Sequence, residues 1–251
     1  MIQQKLELLN RFLKKYNIEL IYMYIFCYFL FLLVLMSFRS ASGDETYYLK
    51  EALLISELFK KGIWIGDYGV GLHGFLFKIP VAILFIINGG PSVFLATLFT
   101  SFLSVLSLFL FHKIVSSFFL KKNYAFWATV LLSVSFHFID TSLSFNRDIP
   151  VVLTVLLFIY LFLKDANKWV IGISLLLMLD AKEHVFLTVA PLYALYIFLS
   201  EIREIGGRKI LETLKQIFIK GFSGFSFSVI WVVLMFYTSV IPMNMFVASI
   251  S

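Results

Sequence analysis

The chain has 251 residues, of which 61% are apolar, with a mean hydropathy of +0.93. A soluble domain of this length has no way to hide so much apolar surface, so the composition excludes one and points to a membrane protein. The net charge of +6 then reads as loop lysines and arginines that set orientation and touch anionic lipid, not as a nucleic-acid surface.

The first apolar run, 18–38, is long enough to cross about 30 Å of hydrocarbon and too long for a cleavable signal. It follows a short basic segment, 1–17, and is read as a permanent span. Next comes a polar break, Arg39-Ser-Ala-Ser-Gly-Asp-Glu-Thr-Tyr-Tyr48, which opens a long loop over 39–91. Within that loop 46–61 has amphipathic periodicity. Tyr47, Leu54, Ile55, Leu58 and Phe59 fall on one face and Lys50, Glu51 and Glu57 largely opposite, with Asp44 or Thr46 as N-cap and Gly62 as the stop. The run 74–88 is apolar but carries Lys78 and Pro80, and is read as a second helix lying in the interface. Further spans are predicted over 92–112, 123–139, 149–163, 169–181, 184–200 and 217–241. The whole chain, 1–251, is therefore expected to be one all-α transmembrane domain of about seven spans with an interfacial helix pair in its first loop.

Charge orients it. With 74–88 not crossing, one face receives 14 of the 21 basic residues, among them Lys5, Arg11, Lys113, Lys164 and Lys220. The positive-inside rule places that face and the N-terminus in the cytoplasm. The long loop and the short turns at 140–148 and 180–184 then lie outside a plasma membrane.

Four polar clusters fall on that outer side: Asp44-Glu45; His73 with Lys78; Asn146-Arg147-Asp148; and Asp180-Ala-Lys182-Glu183-His184. Carboxylates at a bilayer boundary are costly to leave unpaired. The set offers a base for an acceptor hydroxyl and cations for an anionic leaving group. Each cluster also suits a plain role. Asp44-Glu45 can cap a helix, Arg147-Asp148 before Ile149-Pro150 can start a span, and Lys182-Glu183-His184 can be a solvated turn. The lone cysteine, Cys27, forms no intrachain disulfide. No metal-site spacing, phosphate loop or nucleophile elbow is present, and no metal is assigned.

In this order the motifs resemble the GT-C superfamily of integral-membrane glycosyltransferases, which use polyprenyl-phosphate sugars. Asp-Glu-x-Tyr-Tyr (Asp44 to Tyr48) after the first span is similar to the first extracytoplasmic loop of the branch holding protein O-mannosyltransferases and lipid A aminoarabinose transferases. Leu72-His73-Gly74-Phe75-Leu76-Phe77-Lys78 is similar to that branch's His-Pro-Pro-Leu or His-Gly-Pro-Leu segment, without its prolines. Asn146-Arg147-Asp148 and Asp180-Ala-Lys182-Glu183 resemble its Arg-Asp and Lys-Glu motifs. The likeness covers roughly 18–200. Family members are usually longer, so the chain looks like an N-terminal fragment or a short relative.

The resemblance implies an inverting transfer of a sugar from a polyprenyl-phosphate donor to an extracytoplasmic lipid, glycan or protein. Asp44 would be the base and Glu45 its support. Arg147, Asp148 and Lys182 would help bind the lipid-phosphate donor or shape the pocket, with His73, Lys78, Glu183 and His184 as further substrate-binding residues. No cofactor is implied beyond the donor, which is a substrate. The partners implied are membrane lipids and the acceptor, with no nucleic acid. Two other classes fit the same composition. One is a transporter or flippase, which should carry mid-span charges and broken helices in paired halves. The other is a non-catalytic membrane subunit.

Overall fold

In a computed structural model, residues 20–41, 43–63, 74–119, 122–203 and 210–237 are described. They form ten helices: α1 (Leu20–Met36), α2 (Asp44–Lys60), α3 (Phe75–Ile87), α4 (Val93–Phe118), α5 (Lys122–Ser133), α6 (Phe136–Leu143), α7 (Asp148–Leu163), α8 (Lys168–Ala181), α9 (Glu183–Arg203) and α10 (Ile210–Tyr237). There is no strand among the described residues. Among the described residues three stretches are long and apolar enough to cross a membrane: Val93–Phe118, Glu183–Ser200 and Leu214–Leu234. This all-helical architecture is compatible with a membrane protein.

One predicted span is not a straight helix. The expected crossing over 123–139 breaks between α5 and α6, which meet at 63° and count together as at most one further span. The cause is local. Ser135 leaves helical geometry (ψ 133°) and its hydroxyl accepts the Phe138 N–H at 3.4 Å, starting a new helix. Helices α1, α3 and α7 are apolar but shorter, at 17, 13 and 16 residues. At 1.5 Å per residue α3 reaches only about 20 Å, less than the hydrocarbon thickness.

The core follows from two small-residue contacts. On α1, Ile21, Ile25, Tyr28, Leu32 and Met36 recur at helical spacing and form one buried stripe. That stripe packs on α4, whose inward face carries Thr97, Thr100, Ser101, Ser104 and Ser107. Small residues let the backbones approach; Ser101 donates to the Ser142 carbonyl at 2.9 Å, and the hydroxyls of Thr100, Ser104 and Ser107 are satisfied within the helix. Thr100 and Ser104, for example, donate to the carbonyls of Ala96 and Thr100 at 3.2 and 3.0 Å. On the other side α8 packs between α7, α9 and α10. At Gly172 a Cβ would lie 2.8 Å from the Ser223 carbonyl oxygen, so only glycine permits that approach. Helix α7 touches both α4 and α8 and joins the two halves.

The α2–α3 pair packs together through Ile55, Phe59, Phe75 and Ala82, and against α4 through Ala52, Val81, Phe85 and Ala96. Its buried face is rotated from the predicted one. Glu45, Glu51, Ala52, Ile55, Ser56 and Phe59 point inward, whereas Tyr47 and Leu54 are exposed. Two carboxylates belong to the inner stripe because each meets a cation there.

Candidate functional site

The first of those pairs ties three chain segments together. Arg39, just after α1, places Nη1 3.1 and 3.0 Å from the two oxygens of Glu45. The same guanidinium donates to the Leu143 carbonyl and, at 2.8 Å, to the Ser144 hydroxyl. Glu45 Oε1 also accepts the backbone N–H of Phe145 at 2.8 Å. Glu45 is only 2% exposed, so its role here is to fasten the start of α2 to the α6–α7 turn. Its neighbour Asp44 is exposed. Asp44 is the first residue of α2, not its cap. Gly43 holds the cap position at φ 56°, ψ −133°, a region open essentially to glycine.

The second pair lies deeper. Lys78 on α3 approaches Glu51 on α2 to 2.6 Å, and the two residues are 2% and 6% exposed. Burial lowers the Lys78 pKa, opposed by the hydrogen bond and charge of Glu51 and by the charge of Asp180. The Lys78 ammonium also sits 5.3 Å from the centre of the Tyr48 ring, in cation–π range. Glu51 takes a hydrogen bond from Tyr47, which pushes that phenol up to about 12.

Asp180, at the end of α8, anchors the start of α3. Its carboxylate accepts the Leu76 N–H at 3.0 Å, and its carbonyl accepts the Gly74 N–H at 2.6 Å. A carboxylate at a helix N-terminus satisfies an orphan donor and faces the positive end of the dipole.

Tyr48 stands at the centre. Burial raises its pKa; the charges of Asp44, Glu51 and Asp148 raise it further, and that of Arg147 lowers it. These four ionisable side chains from two elements thus act on one phenol. Beside it is a small cavity of about 10 Å³, lined by Tyr48, Gly74, Lys78, Asn146, Arg147 and Pro150 among others. That is roughly room for one water. The Nη1 of Arg147 is buried with no hydrogen-bond partner among the described residues.

Members of all four predicted clusters therefore meet: Asp44, Arg147 and Asp148 act on Tyr48, Lys78 lies over the Tyr48 ring, and Asp180 acts on Lys78. Lys182 is half-buried and alone separates α8 from α9, in extended geometry (φ −163°, ψ 110°). Glu183 opens α9 with Oε1 3.5 Å from Nε2 of the exposed His184. His73 lies outside the described residues. Among the described residues no three His, Cys, Asp or Glu side chains gather as metal ligands.

Sequence reasoning gave no site role to Arg39, Glu51 or Tyr48, and met Asp180 only as a member of a polar cluster. The signal for one of them was present. A lysine inside the apolar run Phe75-Leu-Phe-Lys78-Ile-Pro80 needs a buried counter-ion, and Glu51 is on the neighbouring helix. Compared with protein-family models, with curated proteins and with solved structures, the chain matches none.

Proposed function

We propose that the chain is a plasma-membrane protein of about seven spans with its N-terminus in the cytoplasm. Its reaction is an inverting transfer of a sugar from a polyprenyl-phosphate donor to an extracytoplasmic acceptor. The charge asymmetry of the loops supports the orientation, and the order of motifs supports the reaction class. The observation that carries the reading is the pairing around Tyr48 of an exposed carboxylate, Asp44, with a guanidinium, Arg147, whose Nη1 has no hydrogen-bond partner among the described residues.

In this mechanism Asp44 takes the proton of an acceptor hydroxyl. The oxygen attacks the anomeric carbon as the bond to the phosphate oxygen breaks, and configuration inverts. The departing polyprenyl phosphate carries away the bonding electrons, and Arg147 neutralises its charge. Phosphate leaves without a general acid, so one base and one cation are enough. The interfacial α2–α3 pair suits a donor whose phosphate lies at headgroup level while its tail stays in lipid. Glu45, Glu51 and Lys78 hold the site's elements in place instead of touching substrate.

The test is sugar transfer by the full chain in vesicles supplied with a polyprenyl-phosphate sugar. Asp44→Asn changes the helix-terminus electrostatics by at most about 1 kcal/mol. It removes a base worth about 10²–10⁴-fold in rate. Transfer should fall by that factor while expression stays normal. Near-normal transfer by the Asn variant, or none by the parent, counts against the reading. A transporter is the second reading, favoured by the 63° break between α5 and α6. It would move labelled donor between leaflets without forming product.

A further inference from the structure

At the other end of α8 from Asp180, about 20 Å along its axis, lies a second and larger concavity. It is a groove of about 420 Å³ between the start of α8 and α10, lined by Asn167, Lys168, Trp169, Gln216, Lys220 and Phe222 among others. Its makeup is sorted in a particular way. Two half-buried lysines and two amides line it, and its rim is apolar and exposed: Trp169, Phe218 and Phe222 are 46%, 73% and 59% exposed. The groove is also braced. Asn167 caps α8 by accepting the Trp169 N–H at 3.0 Å, and the Trp169 ring packs edge-on against Phe222 and Phe227. The close contact at Gly172 holds α8 against α10 just beyond it.

An exposed aromatic rim beside lysines is the pattern of a membrane interface, where the ring stays at headgroup level and the cations meet phosphate. Lys168 is 3.7 Å from Asp165, but that carboxylate is 93% exposed. So open an ion pair holds the lysine weakly and yields to a phosphate. We propose that this groove binds an anionic phospholipid. Lys168 and Lys220 contact the headgroup phosphate, Asn167 and Gln216 its polar substituent, and the acyl chains run along Phe218 and Phe222. The proposal is independent of the reaction assigned to the Tyr48 end.

The probes are phosphatidylglycerol and phosphatidylcholine, bound to the detergent-purified full chain and read by native mass spectrometry. The parent should hold phosphatidylglycerol at least about tenfold more tightly than phosphatidylcholine. With each lysine at an anionic site worth roughly a fivefold factor, Lys168→Gln with Lys220→Gln should weaken phosphatidylglycerol by about 25-fold. Lys168→Arg with Lys220→Arg should keep it. If the double Gln variant loses helicity, Lys220→Gln alone should still cost about fivefold. Equal affinity of the parent for the two lipids, or unchanged affinity in both Gln variants, overturns the proposal. So does displacement of the lipid by millimolar inorganic phosphate, which would make the groove a site for the free anion.

Discussion

The two ends of the helical assembly treat charge in opposite ways. Where α1, α2, α3, α7 and α8 meet, Glu45, Glu51, Lys78 and Asp180 are buried, and each has a cation, an anion or a backbone N–H against it. At the far end the lysines that make polar contacts lie nearer the surface. Lys113 donates to Tyr22 at 3.1 Å and leans on the Tyr22 and Phe109 rings, while Lys168 reaches an exposed Asp165. Burying a charge costs several kcal/mol unless it is paired. Among the described residues this cost is accepted at the first end, where the buried charges gather. The far end carries the groove proposed for an anionic lipid.

The difference is broken most forcefully at Lys78. Lys78→Met alone leaves Glu51 buried beside an apolar side chain and should destabilise the fold by about 3–5 kcal/mol, measured by unfolding in micelles. Changing Glu51 to Met as well should restore most of that loss. If the single variant is as stable as the parent, the buried pair is not what holds α2 to α3.

A smaller effect separates binding from structure within the same end. If Arg147 meets the donor phosphate, Arg147→Ala should weaken donor binding by about 1.5–3 kcal/mol, the range for hydrogen bonds to charged groups. Arg147→Lys should recover only part, lacking the planar fork. Titration of a fluorescent donor analogue reads both, and unchanged affinity in the Ala variant would return Arg147 to a span-start role.

The far half should respond through packing alone. Gly172→Ala puts a Cβ 2.8 and 2.9 Å from the carbonyl oxygens of Ser223 and Gly224. Overpacking of this kind costs about 1–3 kcal/mol. Thermal unfolding should show the loss, and sugar transfer by the folded fraction should be unchanged. A variant with full stability would show that α8 and α10 can separate freely.

How much of this was legible in the sequence depends on the range of the contact. Apolar runs, cap residues and the breaks between helices are local signals, and the helices over 20–36, 93–118 and 183–203 follow them. The pairing of Lys78 with Glu51 is not local, because the two are joined only by the folding of α3 back onto α2. For the same reason the periodicity of α2 gave the buried face only in part: Ile55 and Phe59 are buried as expected, whereas Tyr47 and Leu54 are exposed. A carboxylate counts as polar in a pattern, but Glu45 and Glu51 turn inward because Arg39 and Lys78 wait there. The bend at Ser135 was hidden by the opposite effect. The residues around it are apolar enough to read as one run, and a single serine hydroxyl restarts the helix. Asp180 was visible as part of a polar cluster. Its task of capping α3 was not, since α3 lies about a hundred residues earlier.

Asp44 and Glu45, adjacent carboxylates, are assigned different work, and one crossed measurement tests that division. Asp44→Asn and Glu45→Gln are purified in the same detergent, and unfolding and sugar transfer are measured on each. Asp44→Asn should unfold within about 1 kcal/mol of the parent while losing transfer by about 10²–10⁴-fold. Glu45→Gln should lose about 3–5 kcal/mol of stability, because it breaks the buried pair with Arg39, and the fraction that remains folded should still transfer sugar. The reverse pattern, with Asp44→Asn unstable and Glu45→Gln stable but inactive, would contradict the assignment of the two residues.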